Sequence, residues 1–206
     1  MLPKNKSLLI ISAPSGTGKT TVVRKLIRDN PSMVASVSYT TRSKRDNEID
    51  GDDYRFVSIP VFEAMAAEHA FFEYAEVFGN FYGTPKKEVE DSIKEGKTVI
   101  LEIDWQGANQ VRKAEPNCLT LFLIPPSKTE LKKRLDKRGT DSVGEINRRF
   151  KEAINDIQHS INYDATFVNN DLALTCDEIV SFVKQYSGNK KAISKHELSI
   201  INSFKI

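Results

Sequence analysis

The sequence predicts an α/β protein built on a parallel sheet with helices on both faces. Two observations carry that expectation. Near-continuous apolar runs recur at 7–12, 98–103, 119–124 and 165–168, as in strands buried on both sides. Helical patterns stand between and after them, at 19–28, 106–114, 127–137, 145–159 and 172–186.

The first strand opens from MLPKNKSLLIISAP, which is basic and then apolar, like a short signal peptide. The apolar run is short and leads straight into a glycine-rich loop, so it reads as a buried strand. The loop is A-P-S-G-T-G-K-T, residues 13–20. It follows the phosphate-binding pattern G-x-x-x-x-G-K-[ST], with Ala13 in place of the first glycine. What such a loop needs is backbone N–H groups wrapped around phosphate oxygens at a helix N-terminus. Gly16 and Gly18 supply the curvature, Lys19 a charge for the outer phosphates, and Thr20 a hydroxyl for Mg²⁺. The first position only ends the strand, and alanine does that wherever the backbone angles are ordinary. Pro14, Ser15, Thr17 and Thr21 complete the expected ATP-binding set. A strand before the loop and a helix after it are the context the motif requires, so the chain is expected to bind a nucleoside triphosphate.

The interval 31–97 is richer in polar and aromatic residues, with short strand-like pieces at 35–40 and 54–57. It reads as a subdomain inserted over the sheet's ligand edge. The expected organisation is one domain over 1–187, with a core of 1–32 and 98–187, an insert of about 33–97 and a lid of about 134–149. The segment RGTDSV, 138–143, is the expected lid tip. Residues 188–206 form a basic tail, for which a weak helix from Ser194 and a frayed or partner-dependent segment both stay open.

Totals bound the function. The chain has 206 residues, 39% hydrophobic and 28% charged, as expected of a soluble globular protein. Thirty basic and 28 acidic residues leave a net charge of +2, so functional positive charge must be local and nucleic acid is not an expected partner. Cys118 and Cys176 read as free thiols of a reduced, cytoplasmic protein, and His69, His159 and His196 lack metal-ligand spacing. No apolar run approaches the about 18 residues that span a bilayer, so no membrane partner is expected.

The acceptor side carries more information. In SVSYTTRSKRDNEIDGDDYRFV, residues 36–57, Ser38, Thr41, Arg42, Arg45, Glu48 and Tyr54 form a dense polar set. Two arginines and a tyrosine could grip a monophosphate; a solvated basic loop would read much the same. FFEYAEVFGNFYGTPKKEVE follows at 71–90, and VILEIDWQGANQVR, 99–112, puts Asp104 at a strand's C-terminal end, where such sheets bind ligands.

With APSGTGKTT, EVFGNFYGT, LEIDWQGA, the PPSKTELKKRL stretch before RGTDS, INRRF and VNND, these segments closely resemble guanylate kinases, the bacterial form in particular, over about 8–186. The resemblance implies the three-layer P-loop NTPase fold, with an inserted GMP-binding subdomain and a helical lid. It also implies phosphoryl transfer from Mg·ATP to GMP, and to dGMP with it, in purine nucleotide metabolism. Arg42, Arg45, Tyr54 and Tyr82 match the grip on the GMP phosphate, with Glu48 beside them. Ser38, Glu73, Thr84 and Asp104 match the residues around the guanine ring. Guanine offers N1–H and a 2-amino group as adjacent donors, which one carboxylate accepts together; adenine would leave it unpaired. Arg134, Arg138 and Arg149 match the lid and catalytic arginines that, with Lys19 and Arg42, would spread charge at the transferring group; Asn169 matches a position near the donor adenine. Glu102 stands where many members have Asp at the metal and acceptor site, and Thr84 where some have Ser. Two rivals are a non-catalytic scaffold of this fold and a kinase for another phosphorylated acceptor. The intact loop speaks against the first and Glu73 against the second. Self-association stays open.

Overall fold

The computed structural model describes residues 7–46, 48–77, 79–137 and 143–205. Its main sheet is parallel, in the order β2 (Met33–Ala35), β7 (Thr98–Glu102), β1 (Leu8–Ser12), β8 (Leu119–Ile124), β9 (Ala165–Val168). Central β1 pairs Leu8 with Val99 on one side and Leu9 with Leu119 on the other. All its residues are buried, because alternate side chains enter different layers. Leu8 and Ile10 join a cluster with Leu101, Phe122 and Ile124, covered by α4 (Trp105–Ala114), α5 (Lys128–Asp136) and α6 (Val143–Ile157). Leu9 and Ile11 face the other way, toward Val22 and Leu26 of α1 (Lys19–Asp29) and Ile179 and Val183 of α7 (Leu172–Gln185). This is the expected three-layer arrangement.

The insertion is smaller than the sequence suggests. The strand expected at 35–40 is two strands of two sheets. Met33–Ala35 pairs with β7, and Ser36 N–H continues that ladder to the Ile100 carbonyl at 3.0 Å. Tyr39–Thr40, β3, belongs to a second sheet of order β4 (Arg55–Phe56), β3, β6 (Asn80–Pro85), β5 (Phe71–Val77). At the far end, α3 (Lys86–Lys94) already packs Val89 into the main core beside Val99. The chain therefore leaves the core after Ala35 and returns at Lys86, not at about 33 and 97. Strands of two or three residues show no readable period, which hides the first crossing; at the second, β6 runs directly into α3 with no intervening loop. The second sheet has its own small core: Phe62 of α2 (Ile59–Ala67) stacks on Phe71 at 4.5 Å and on Phe81 at 5.4 Å.

The C-terminal segment is a packed element of the domain, not a tail beyond it. Lys191 N–H donates to the Asp164 carbonyl at 2.7 Å, next to edge strand β9. The Lys191 ammonium lies 4.6 Å from the Phe167 ring centroid and 2.5 Å from the Glu197 carboxylate. Ser194 and Glu197 form a capping box that starts α8 (Lys195–Ser203). Ile200, Ile201 and the fully buried Phe204 then complete the core cluster around Leu8 and Phe122. Phe204→Ala is expected to destabilise the whole domain by about 3–5 kcal/mol, measured by urea denaturation. A frayed tail would give no change.

Among the described residues, no helix is long and apolar enough to cross a membrane. Cys118 and Cys176 are free and buried, and burial pushes the Cys118 thiol up to about 11.

Candidate active site

The loop between β1 and α1 takes the curvature its glycines allow. Gly16 (φ 83°) and Gly18 (φ 93°) both lie in the left-handed region. No side chain caps α1 and no acidic residue stands in its first turn. Its N–H groups and positive dipole end are thus left to the loop's concavity. Ala13 does its part without a glycine: its φ is not positive, and its methyl packs beside the β1–α1 core.

These groups open into a cleft of about 590 Å³. One wall is Ala13, Pro14, Ser15, Gly16, Gly18, Lys19, Thr20 and Thr21. Lys19 Nζ donates to the carbonyl of Ile103, just past β7, at 3.2 Å. Thr20 Oγ1 donates to Glu102 Oε1 at 2.5 Å. The far wall belongs to the insertion and includes Ser38, Arg42, Arg45, Glu48, Tyr54 and Tyr82. Arg24 of α1 bonds Asp53 of the insertion across the mouth, a bridge the sequence reading missed.

Glu48 organises the far wall. Its Oε1 accepts from Arg42 Nη2 at 2.7 Å and its Oε2 from the Arg45 backbone N–H at 2.8 Å. Burial opposes its ionisation, but these donors outweigh burial and hold its carboxyl below the usual range. A carboxylate repels phosphate, so Glu48 suits a counter-ion that aims the arginines better than a phosphate ligand. The Arg42 guanidinium also lies 5.5 Å from the Tyr54 ring centroid. Tyr54 and Tyr82 meet edge to face at 5.8 Å. Burial, with Glu102 next in importance, pushes the Tyr54 phenol up to about 12, so it stays a hydrogen-bond donor at neutral pH.

At the back of the cleft, Glu73 of β5 is 5% exposed and Asp104 caps α4, accepting the Gly107 N–H at 2.8 Å. Thr84 Oγ1 donates to Glu73 Oε1 at 2.5 Å. Burial raises the Glu73 carboxyl to about 7, against the pull of Thr84 and with a push from Asp104. Thr84 is fully buried and is not in the cleft wall, so it bears on the cleft only through Glu73.

Three other expected residues lie outside the wall of this cleft. Arg134 Nη1 donates to the carbonyls of Thr17 and Asn169, 3.0 Å from each, and its Nε to Glu130 Oε1 at 2.9 Å. Asn169 Nδ2 donates to the Thr17 carbonyl at 2.7 Å. Thr17, Arg134 and Asn169 thus lock together behind the loop, outside the cleft lining, and brace it against the end of β9. Arg149 does line the cleft, its Nε donating to Glu145 Oε1 at 3.2 Å. Arg138 and the lid tip at 139–142 lie outside the described residues.

A phosphate loop at the carboxyl edge of a parallel sheet, faced by an arginine pair in the loop between β3 and β4 of the insertion, defines a P-loop kinase of the kind that acts on small phosphorylated acceptors. Comparison with known proteins narrows the class. The guanylate kinase family model matches residues 5–186, and the chain belongs to that family. A guanylate kinase of Shewanella denitrificans is 46% identical over 178 residues, 86% of each chain. One of Hydrogenovibrio crunogenus is 46% identical over 195 residues, covering 94% of this chain and 95% of its own. Among solved structures, a guanylate kinase from Anaplasma phagocytophilum is 36% identical, with a TM-score of 0.75 over 91% of this chain and 90% of its own.

Proposed function

We infer that this chain transfers the γ-phosphoryl group of ATP to GMP, giving ADP and GDP. The observation that carries the acceptor is Glu73, a buried carboxylate in the same cleft as an intact phosphate loop. When ionised it accepts guanine N1–H and the 2-amino group together. Adenine, lacking that donor pair, would leave it buried and unpaired. Asp104 lies beside it. Arg42, Arg45, Tyr54 and Tyr82 hold the acceptor phosphate, whose oxygen is already ionised at neutral pH and needs no separate base. The loop amides and Lys19 hold the donor phosphates, and Arg149 adds charge from the lid side. Arg134 acts by keeping the loop's shape. In-line positioning and charge neutralisation supply most of the catalysis in such transfers.

Mg²⁺ fits the donor set. Thr20 and Glu102 offer hard oxygens beside the loop, and Mg²⁺ takes few protein ligands where phosphates and water provide the rest. When bound, the ion neutralises charge between the outer phosphates; Thr20 and Glu102 would hold it. The insertion is the unit that closes over both substrates, and the cytoplasm is the compartment that supplies them.

The test is ADP release from Mg·ATP with GMP, dGMP, AMP, CMP, UMP and ribose 1,5-bisphosphate. Turnover confined to GMP and dGMP is expected. Equal turnover with ribose 1,5-bisphosphate would remove the base-reading role of Glu73. No turnover with any acceptor in folded protein would leave a binding module.

A further inference from the structure

We propose that Gly107 is a positioning residue for acceptor specificity: its missing side chain is the space that holds the Glu73 carboxylate in register with the base. The proposal rests on the reading of Glu73 given above and extends it to α4. Gly107 sits in the first turn of that helix, where its φ is not positive, so the backbone does not ask for glycine. Alanine would be the better helix former there. Space is what asks for it. A Cβ at Gly107 would lie 2.6 Å from Glu73 Oε2 and 3.1 Å from its carboxyl carbon. The other carboxylate oxygen is held by Thr84 at 2.5 Å. Glu73 is therefore gripped between a hydroxyl on one side and the bare face of a helix on the other.

The rest of α4 fits the same task. Gln110, one turn on and on the same face, donates from Nε2 to the Tyr74 carbonyl at 2.8 Å and accepts the Tyr74 N–H at 3.4 Å. Tyr74 follows Glu73 on β5, the edge strand of the inserted sheet, so Gln110 satisfies backbone groups that pairing leaves free. Gly107 N–H meanwhile donates to Asp104. One helix turn thus orients one base-site carboxylate by a donor and the other by an absent methyl.

A methyl at 107 collides with the far end of a flexible side chain, not with backbone. The carboxylate can swing away while the fold stays intact, but only by leaving Thr84 and its place at the base. Gly107→Ala is therefore expected to lower the thermal midpoint only where Glu73 is present, because the buried Thr84 hydroxyl then loses its acceptor, and to leave the KM for ATP unchanged. The KM for GMP should rise, and the preference for GMP over AMP in kcat/KM should fall by roughly 10²-fold, the scale of an ångström-sized misplacement. In a Glu73→Ala background the same change should alter GMP kinetics by no more than about twofold, since the colliding group is gone.

Gly107→Ala with wild-type GMP preference would overturn the proposal, provided Glu73→Ala has lost that preference. A Glu73→Ala protein that keeps its GMP preference would overturn the base-reading assignment and this proposal with it. A Gly107→Ala midpoint that falls equally in both backgrounds would make Gly107 an ordinary packing residue and overturn it too.

Discussion

Glu73→Gln is expected to lower kcat/KM for GMP by about 10²-fold, with little effect on the KM for ATP. A charged hydrogen bond contributes about 1.5–3 kcal/mol, and the amide that replaces one carboxylate oxygen would face a guanine donor instead of accepting from it. Thr84 fixes Glu73 Oε1, so the new side chain has little freedom to turn its remaining oxygen toward both donors. Preference over AMP should shrink with the GMP rate, because adenine gains no partner from the change. Competition between GMP and AMP for the same enzyme is the direct measurement; an unchanged ratio would remove Glu73 from base recognition.

The same carboxyl gives the prediction a pH signature. Burial raises Glu73 from the ordinary 4.5 to about 7. A raised acid is favoured in its protonated form by the fold. Its contribution to stability is complete below the unfolded value and is lost as pH rises through about 7. Wild type should therefore lose roughly 3 kcal/mol against Glu73→Gln between about pH 4.5 and 8, by denaturation at each pH. Binding runs the other way. Guanine needs the ionised form, so the KM for GMP should climb as pH falls below about 7 in the wild type and stay flatter in Glu73→Gln. The GMP phosphate also titrates, near pH 6, but equally for both proteins, so the ratio of the two profiles isolates Glu73.

What the sequence made legible follows from period and from motif. Four strands of the main sheet are readable because both faces are buried, and β1 is apolar from Leu8 to Ile11; the longer β5 and β6 are not, since their buried and exposed positions do not form an apolar run. The phosphate loop was readable despite Ala13, because Gly16 and Gly18 carry the unusual angles. Helix α2 was not, since it buries only Phe62 of nine residues and has no amphipathic period to find. Helix α8 carries its start signal in the sequence, the capping pair Ser194 and Glu197. In the site, residue types point to one region: Arg42, Tyr54, Glu73 and Asp104 all line one cleft. They did not reveal direction. Arg134 matches a lid arginine, and Glu130 four residues back is a partner the sequence offers; its other two partners are carbonyls distant in the chain, supplied only by the fold. Gly107 carried a signal of its own, a glycine inside a helical pattern, which calls for a packing reason.

Direction is what separates Lys19 from Arg134, and a pair of variants measures it. Lys19→Met is expected to lower kcat by about 10²–10³-fold, the scale for removing one preorganised charge donor at a transferring group. Methionine keeps the length and apolar stem of lysine and loses only the ammonium. Among the described residues Lys19 has one protein hydrogen bond, to the Ile103 carbonyl, so the thermal midpoint should move little, in line with about 1 kcal/mol for such a bond. Arg134→Met removes two bonds to the carbonyls of Thr17 and Asn169 behind the loop. The Thr17 carbonyl keeps the Asn169 amide as a donor, but the Asn169 carbonyl loses its side-chain partner. A buried acceptor left unpaired costs about 1–3 kcal/mol, so the midpoint and ATP binding should fall together with kcat. If both variants lost activity at an unchanged midpoint and unchanged ATP affinity, Arg134 would be acting on the transferring phosphoryl group directly, and its place behind the loop would not be its place during the reaction.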